Sequence, residues 1–146
     1  MPLDLFSKTQ IPTELPTEMQ AVVDDLKKSA NQAECLRRAY DVLSSRFQGN
    51  RTKTYTRLFE VFEKDVNKLW IRQGFLHCTN INYLLRIVLI KSGLFGEADI
   101  RLRWTQIWLV SPHQYLQVKI RDQWNDVDIW ARAYGIEFGD HSHGLY

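Results

Sequence analysis

The sequence predicts an α+β fold, in which N-terminal helices and a central Cys-bearing helix pack on a C-terminal antiparallel sheet. Two observations lead to this class. Apolar residues recur every three or four positions through most of residues 17–92, which is the period of an amphipathic helix. After Gly96 the apolar period changes to two, the signature of half-buried strands. Helices that precede the strands, rather than alternating with them, are typical of α+β proteins.

Composition restricts the class of protein further. The chain has 146 residues, of which 45% are hydrophobic and 25% charged, the balance of one globular domain. The formal net charge of +2 is too small to indicate a nucleic acid or an anionic membrane as partner. Two cysteines, Cys35 and Cys78, are too few for a disulfide scaffold, and the first residues do not resemble a signal peptide. We therefore expect free thiols and a cytoplasmic location.

The N-terminal residues differ in character from the rest. Residues 1–16 are polar and contain three of the four prolines, which predicts an extended arm ahead of a single domain over residues 17–146. The pattern Thr-Glu-Met-Gln at residues 17–20 has the form of a capping box and predicts a helix start near Glu18.

Three further helices are predicted, over residues 32–47, 53–69 and 78–92. The helix over 53–69 would carry one apolar stripe, formed by Tyr55, Leu58, Phe59, Phe62, Val66 and Leu69. The helix over 78–92 has little polar surface and ends at Gly93, so we expect it to be the most buried.

Three strands follow. Alternation begins at Ile100 and continues to Leu109, and the pair Ser111-Pro112 breaks it. The second strand is predicted over residues 115–120 and the third over residues 124–129, with a tight turn at Arg121-Asp122 between them. The residues after Ala131 have no clear period and remain unassigned.

Three residues of different types could form a catalytic triad. Cys78 would begin the central helix, where unpaired N–H groups and the helix dipole favour a thiolate and can stabilise an oxyanion. His113 follows 35 residues later, at the start of a strand, where an imidazole could accept and return the thiol proton. Asp128 lies on the next strand of the same hairpin and could orient that imidazole.

The same residues carry a resemblance to a known family. The segments are GFLHCTN at residues 74–80, PHQYLQV at 112–118 and QWNDVD at 123–128. In this order they resemble the transglutaminase-like superfamily, whose core is papain-like, over about residues 36–130. The resemblance implies Cys78 as nucleophile, His113 as base and Asp128 as orienting residue, with Trp124 four positions before Asp128.

That resemblance implies a cysteine-dependent acyl-transfer enzyme, which performs amide or peptide hydrolysis or transamidation and needs no cofactor. A peptide or protein amide is the expected substrate. The alternative is a catalytically silent binding or scaffold module with the same fold. Thr79, Gln114 and Ile129 differ from the residues common at these places in the family, which leaves the substrate open. The oligomeric state is open as well.

Other residues are secondary candidates. Asp126 is the rival of Asp128 as orienting residue, and Gln73 could help to bind an oxyanion. Trp70 or Trp104 could form a wall of the site, although core packing is the commoner role. His77 could tune the neighbouring thiol, although an exposed loop histidine is the commoner case. Asp140, His141 and His143 are fewer than the four ligands of a structural zinc site, so no metal is predicted.

Overall fold

The helices precede the three-stranded sheet, as predicted, but two short strands that were not predicted lie between the helices and pair with each other. The computed structural model describes residues 10–107 and 111–142. Within that part the α-helices are α1 (Thr17–Leu26), α2 (Gln32–Arg46), α3 (Arg51–Thr56), α4 (Val66–Ile71) and α5 (Cys78–Lys91). The strands are β1 (Phe47–Gln48), β2 (Gly74–Phe75), β3 (Ile100–Ile107), β4 (Ser111–Ile120) and β5 (Gln123–Val127). Short 3-10 turns occupy Leu58–Phe62, Glu97–Asp99 and Trp130–Tyr134. The prediction of mixed helix and strand is confirmed.

The C-terminal sheet is a three-stranded antiparallel meander in the order β3-β4-β5. Arg121 and Asp122 both have positive φ angles, 52° and 63°, which is the backbone of a two-residue hairpin turn with the right twist. This turn is where the sequence predicted it. The start of β4 is a correction, because the strand begins at Ser111 and includes Pro112. β5 pairs only with residues 116–120 of β4, so Pro112 does not have to donate a hydrogen bond to β5.

Smaller differences occur at the other ends. The predicted capping box of α1 is wrong, since Pro16 precedes the helix and no side chain caps it. β5 ends at Val127 rather than at residue 129. Leu109 and the first nine residues lie outside the described residues. The described part of the predicted arm, from residue 10 to Pro16, is non-helical and lies against α5, where the Tyr83 hydroxyl donates to the Gln10 carbonyl at 3.0 Å.

Helix α5 is the centre of the core, as predicted. Every residue from Asn80 to Leu89 is buried, including the charged Arg86. Arg86 pairs with Glu97 at 3.2 Å, which gives its charge a partner at the edge of the core. The helix packs against α1 and α2 on one side and against β4 on another. No helix in the described residues is long and apolar enough to cross a bilayer.

The single helix predicted over residues 53–69 is wrong. Asn50 caps α3 and Asp65 caps α4, each by accepting a backbone N–H two or three residues later, and a 3-10 turn lies between the two helices. The apolar stripe is divided accordingly. Val66 and Leu69 are buried, whereas the aromatic part is exposed, with Phe59 exposed by 88%. Tyr55, Leu58 and Phe62 are exposed as well.

This difference in burial predicts very different losses of unfolding free energy when Leu84 and Phe59 are truncated to alanine. Leu84→Ala should lower the free energy of unfolding by about 2–5 kcal/mol, since Leu84 is completely buried on α5 and leaves a cavity. Phe59→Ala should change it by less than about 0.5 kcal/mol, because the ring is mostly in water already. Urea unfolding followed by circular dichroism measures both. A large loss in the Phe59 variant would show that the ring is buried after all.

Candidate active site

Cys78 is the first residue of α5 and is half-buried. Its helix begins there because His77 has an extended backbone and serves as the N-cap, directly after β2. The first intrahelical bonds are donated by Asn80 and Ile81 to the His77 carbonyl. The N–H groups of Cys78 and Thr79 precede them, so helix geometry gives these two donors no intrahelical acceptor. The thiol therefore lies beside backbone donors that can bind a negative oxygen.

His113 and Asp128 form a buried pair. His113 lies on β4 and is 1% exposed, and Asp128 follows β5 and is 2% exposed. The His113 Nε2 and the Asp128 Oδ2 are 2.6 Å apart. Because an ionised carboxylate only accepts, Nε2 carries the hydrogen and Nδ1 is left for the thiol. The two residues are not paired in the ladder of β4 and β5, because β5 ends at Val127, one residue before Asp128.

Asp128 is held by two further donors from the backbone. The Ala131 N–H donates to Oδ1 at 3.2 Å, and the Ser142 N–H donates to Oδ2 at 2.8 Å. With His113 this makes three hydrogen bonds to one buried carboxylate, which compensate for its removal from water. Ser142 belongs to the segment that the sequence left unassigned.

The electrostatics of His113 connect all three residues. Burial disfavours the imidazolium, but hydrogen bonds to Asp128 and to Cys78, together with the charges of both, outweigh it and raise the pKa of His113 to about 10. Because both the Cys78 thiol and the Asp128 carboxylate influence this pKa, both lie close to the imidazole. The structure thus brings together the three residues predicted as a triad.

A polar contact fixes the helix that carries the thiol relative to the strand that carries the imidazole. The Asn82 Nδ2 donates to both the backbone carbonyl and the Oε1 of Gln114, each at 3.1 Å. Asn82 is one turn after Cys78, and Gln114 follows His113. Sequence reasoning missed this contact. Its signal was an asparagine on the most apolar helix, where a buried amide needs a partner.

The His113 ring also packs on the side chain of Trp130. The two rings have centroids 5.0 Å apart, and the Trp130 carbonyl accepts the Gly49 N–H at 3.0 Å. A Cβ on Gly49 would meet the Trp130 ring at 2.3 Å, so only glycine allows this close approach. The backbone at Gly49, directly after β1, therefore positions the Trp130 ring that packs on His113.

His77 differs from the expectation of an exposed loop residue. It is buried, and its Nε2 lies 2.7 Å from the Arg57 carbonyl. Burial lowers the pKa of His77, although the hydrogen bond to the Arg57 carbonyl raises it in part. His77 is therefore neutral at physiological pH, and it orders the N-terminus of α5 rather than placing a charge beside the thiol.

Two of the secondary candidates have partners other than His113. Asp126 accepts hydrogen bonds from the Gln117 amide at 2.8 Å and pairs with the His141 Nδ1 at 2.7 Å. Trp70 is a core residue, since it packs on the Phe47 ring at 5.7 Å and is nearly inaccessible. Among the described residues, the carboxylate that bonds to His113 is therefore that of Asp128 and not that of Asp126. Trp70 belongs to the core rather than to a wall of the site.

The remaining candidates lie on the surface. Gln73 is exposed on the loop before β2, and Trp104 is partly exposed on β3. Asp126, Asp140 and His141 each offer a ligand atom, and these atoms lie within 4.8 Å of one another. His143 lies outside the described residues. Three ligands are fewer than a structural zinc site normally has.

The second cysteine is chemically different from the first. Cys35 is fully buried on α2, and its thiol lies 3.6 Å from the Ser92 hydroxyl. Burial raises the pKa of Cys35, despite the hydrogen bond to Ser92. Cys35 is therefore a core thiol and serves as an internal reference for the reactivity of Cys78.

Comparison with known proteins gives no family assignment. A scan against protein-family models found no match, and a search of curated proteins found none either. The assignment of function therefore depends on the geometry of the site.

Proposed function

We propose that this chain is a cysteine-dependent acyl-transfer enzyme of the transglutaminase-like type, which acts on amide or peptide bonds. One observation carries the proposal: a single buried imidazole bonds to a buried carboxylate and lies close enough to the thiol at a helix N-terminus for that thiol to influence its pKa. A core cysteine needs neither partner. The resemblance of three sequence segments to that superfamily supports the same assignment, because its triad falls on the same residues.

The reaction follows from these positions. In this mechanism the attacking species is the Cys78 thiolate, and the imidazolium of His113, whose pKa is raised to about 10, is its partner. The carbonyl carbon becomes tetrahedral, and the N–H groups of Cys78 and Thr79 stabilise its oxygen. His113 then gives its proton to the leaving amine, and a thioester remains on Cys78. Water or a second amine attacks the thioester, His113 takes up its proton, and an acid or a new amide is released.

The substrate class follows from accessibility. Cys78 is half-buried and therefore reachable, whereas His113 and Asp128 are closed off behind it. A carbonyl on an extended peptide or a side-chain amide of a protein can reach a half-buried sulfur, and we propose these as substrates. The chemistry requires no cofactor beyond the residues named.

The proposal predicts an unusual pH profile of alkylation. Iodoacetamide should modify Cys78 at neutral pH at roughly ten times the rate of an ordinary thiol or more, because an ion pair with His113 keeps it as the thiolate. Peptide mass spectrometry separates Cys78 from Cys35, which should remain slow until the protein unfolds. In His113→Ala, the fast reaction at neutral pH should disappear.

Two controls make this test specific. Denatured protein gives the ordinary rates of both thiols, and Gln123→Ala, an exposed change at the start of β5, should leave the profile unchanged. If Cys78 reacts like the denatured thiol, or if the His113 variant keeps the fast phase, the acyl-transfer proposal falls. The catalytically silent binding or scaffold module would then take its place.

A further inference from the structure

The last described residues, 139–142, lie against the sheet beside the triad. Gly139 forms an isolated antiparallel bridge with Asp126. Three residues later, the Ser142 N–H donates to the Asp128 Oδ2 at 2.8 Å, and Ser142 is completely buried. This tail segment thus contacts β5 at one end and the orienting carboxylate of the candidate triad at the other.

His141 anchors the tail segment between these two points. Its Nδ1 lies 2.7 Å from the Asp126 Oδ2, and its ring stacks on Tyr115 with centroids 3.9 Å apart and planes 6° apart. Tyr115 is on β4, two residues from His113. Parallel stacking together with a short polar contact fixes both the position and the rotation of the imidazole. The backbone of the next residue, Ser142, is positioned as a consequence.

We propose that His141 is a positioning residue for the catalytic triad, acting through the Ser142 N–H on Asp128. The proposal rests on the acyl-transfer function for its catalytic meaning, but its structural part is independent of it. Asp128 Oδ2 accepts both the Ser142 N–H and the His113 Nε2–H, so the tail sets the direction from which that oxygen meets the imidazole. Without the tail, Oδ2 keeps only the His113 donor, and two hydrogen bonds hold the carboxylate instead of three.

Exclusion of water is the second effect of the anchor. The Asp128 side chain is 1% exposed and Ser142 is 0% exposed, so the tail segment covers the hydrogen bond between Asp128 and His113. A hydrogen bond between charged groups is stronger in a low-dielectric surrounding than in water. Displacing the tail would hydrate the carboxylate and weaken its hold on the imidazolium.

The direct test is the exchange of the His113 Nε2 proton with solvent, measured by NMR on the intact protein. In His141→Ala we expect this exchange to accelerate by roughly tenfold or more, since one hydrogen bond and the cover are lost. His141→Phe keeps a ring for Tyr115 but removes the bond to Asp126, and should give an intermediate rate. Glu137→Ala, an exposed change two residues before the tail segment, is the matched control and should match wild type. EDTA in every sample keeps metal from Asp126, Asp140 and His141.

The alkylation profile of Cys78 then separates the two proposals. If wild type shows the fast phase and His141→Ala reduces it with unchanged circular dichroism, both proposals stand. If wild type lacks the fast phase, the acyl-transfer function fails, while the proton exchange still tests the anchor. Wild-type exchange and a wild-type alkylation profile in both His141 variants would overturn the positioning role. Should His141→Ala not fold, the comparison of His141→Phe with Glu137→Ala decides.

Discussion

Cys78→Ala is expected to abolish acyl transfer and leave the fold intact. The sulfur is the attacking atom, so its removal leaves only binding and the oxyanion donors, a loss on the order of 10⁵–10⁶-fold in turnover if the triad acts as a unit. The fold should survive because Cys78 is half-buried at the end of α5, and alanine is a good helix former. p-Nitrophenyl acetate provides the measurement: attack releases nitrophenolate and leaves an acetyl thioester on Cys78.

The matched control uses the other thiol. Cys35→Ala should keep the nitrophenolate release and the acetylated Cys78 peptide, with some loss of stability because Cys35 is fully buried. Acetylation found at a lysine instead of at Cys78, or undiminished ester turnover in Cys78→Ala, would contradict a thiol nucleophile.

The central helix and the hairpin could be predicted because their signals are local. The length and apolar character of α5 follow from its own residues, and the Arg121-Asp122 turn from the change in alternation on either side. The order of Cys78, His113 and Asp128 was also visible, since each lies in or beside an element that could be placed. Once a helix start and two neighbouring strands are located, few arrangements keep the three side chains apart.

The region around the aromatic stripe could not be predicted for a physical reason. A helical period shows which residues share a face, but not whether that face meets the core or water. Tyr55, Leu58 and Phe59 follow the period and are nevertheless exposed. The break depends on a side-chain cap, here Asp65, which begins a new helix instead of continuing the first one.

The tail segment escaped prediction because its contacts are with distant residues. Ser142 reaches Asp128 and His141 reaches Asp126, across separations of 14 and 15 positions, and neither contact imposes a period on the sequence. The tie between Asn82 and Gln114 is similar, with 32 positions between its ends. Such contacts hold the side chains of the triad in place, although the triad residues themselves can be recognised in the sequence without them.

Asp128→Asn is expected to impair both reactivity and stability. The carboxylate accepts the Ala131 N–H on one oxygen and both Ser142 and His113 on the other. An amide must turn its NH₂ toward one of these donors, whichever way it is rotated, so a buried donor loses its acceptor at a cost of about 1–3 kcal/mol. The imidazole also loses the group that fixes its tautomer, which lowers turnover by about 10⁴-fold in a comparable triad. Chemical unfolding and the nitrophenyl ester assay measure the two effects separately.

The pH dependence of this loss has a definite sign. The folded-state pKa of His113 is raised from 6.5 to about 10, partly by Asp128, so the stabilisation is fully present below pH 6.5 and is lost as the pH rises through about 10. The difference in unfolding free energy between wild type and Asp128→Asn should therefore be largest in mildly acidic solution and shrink toward pH 10. Asp122→Asn is the matched control, because its side chain is 96% exposed and asparagine tolerates the positive φ of that turn. A difference that grows between pH 6.5 and 10 would mean that Asp128 does not hold a protonated His113, and the thiolate–imidazolium pair would lose its physical basis.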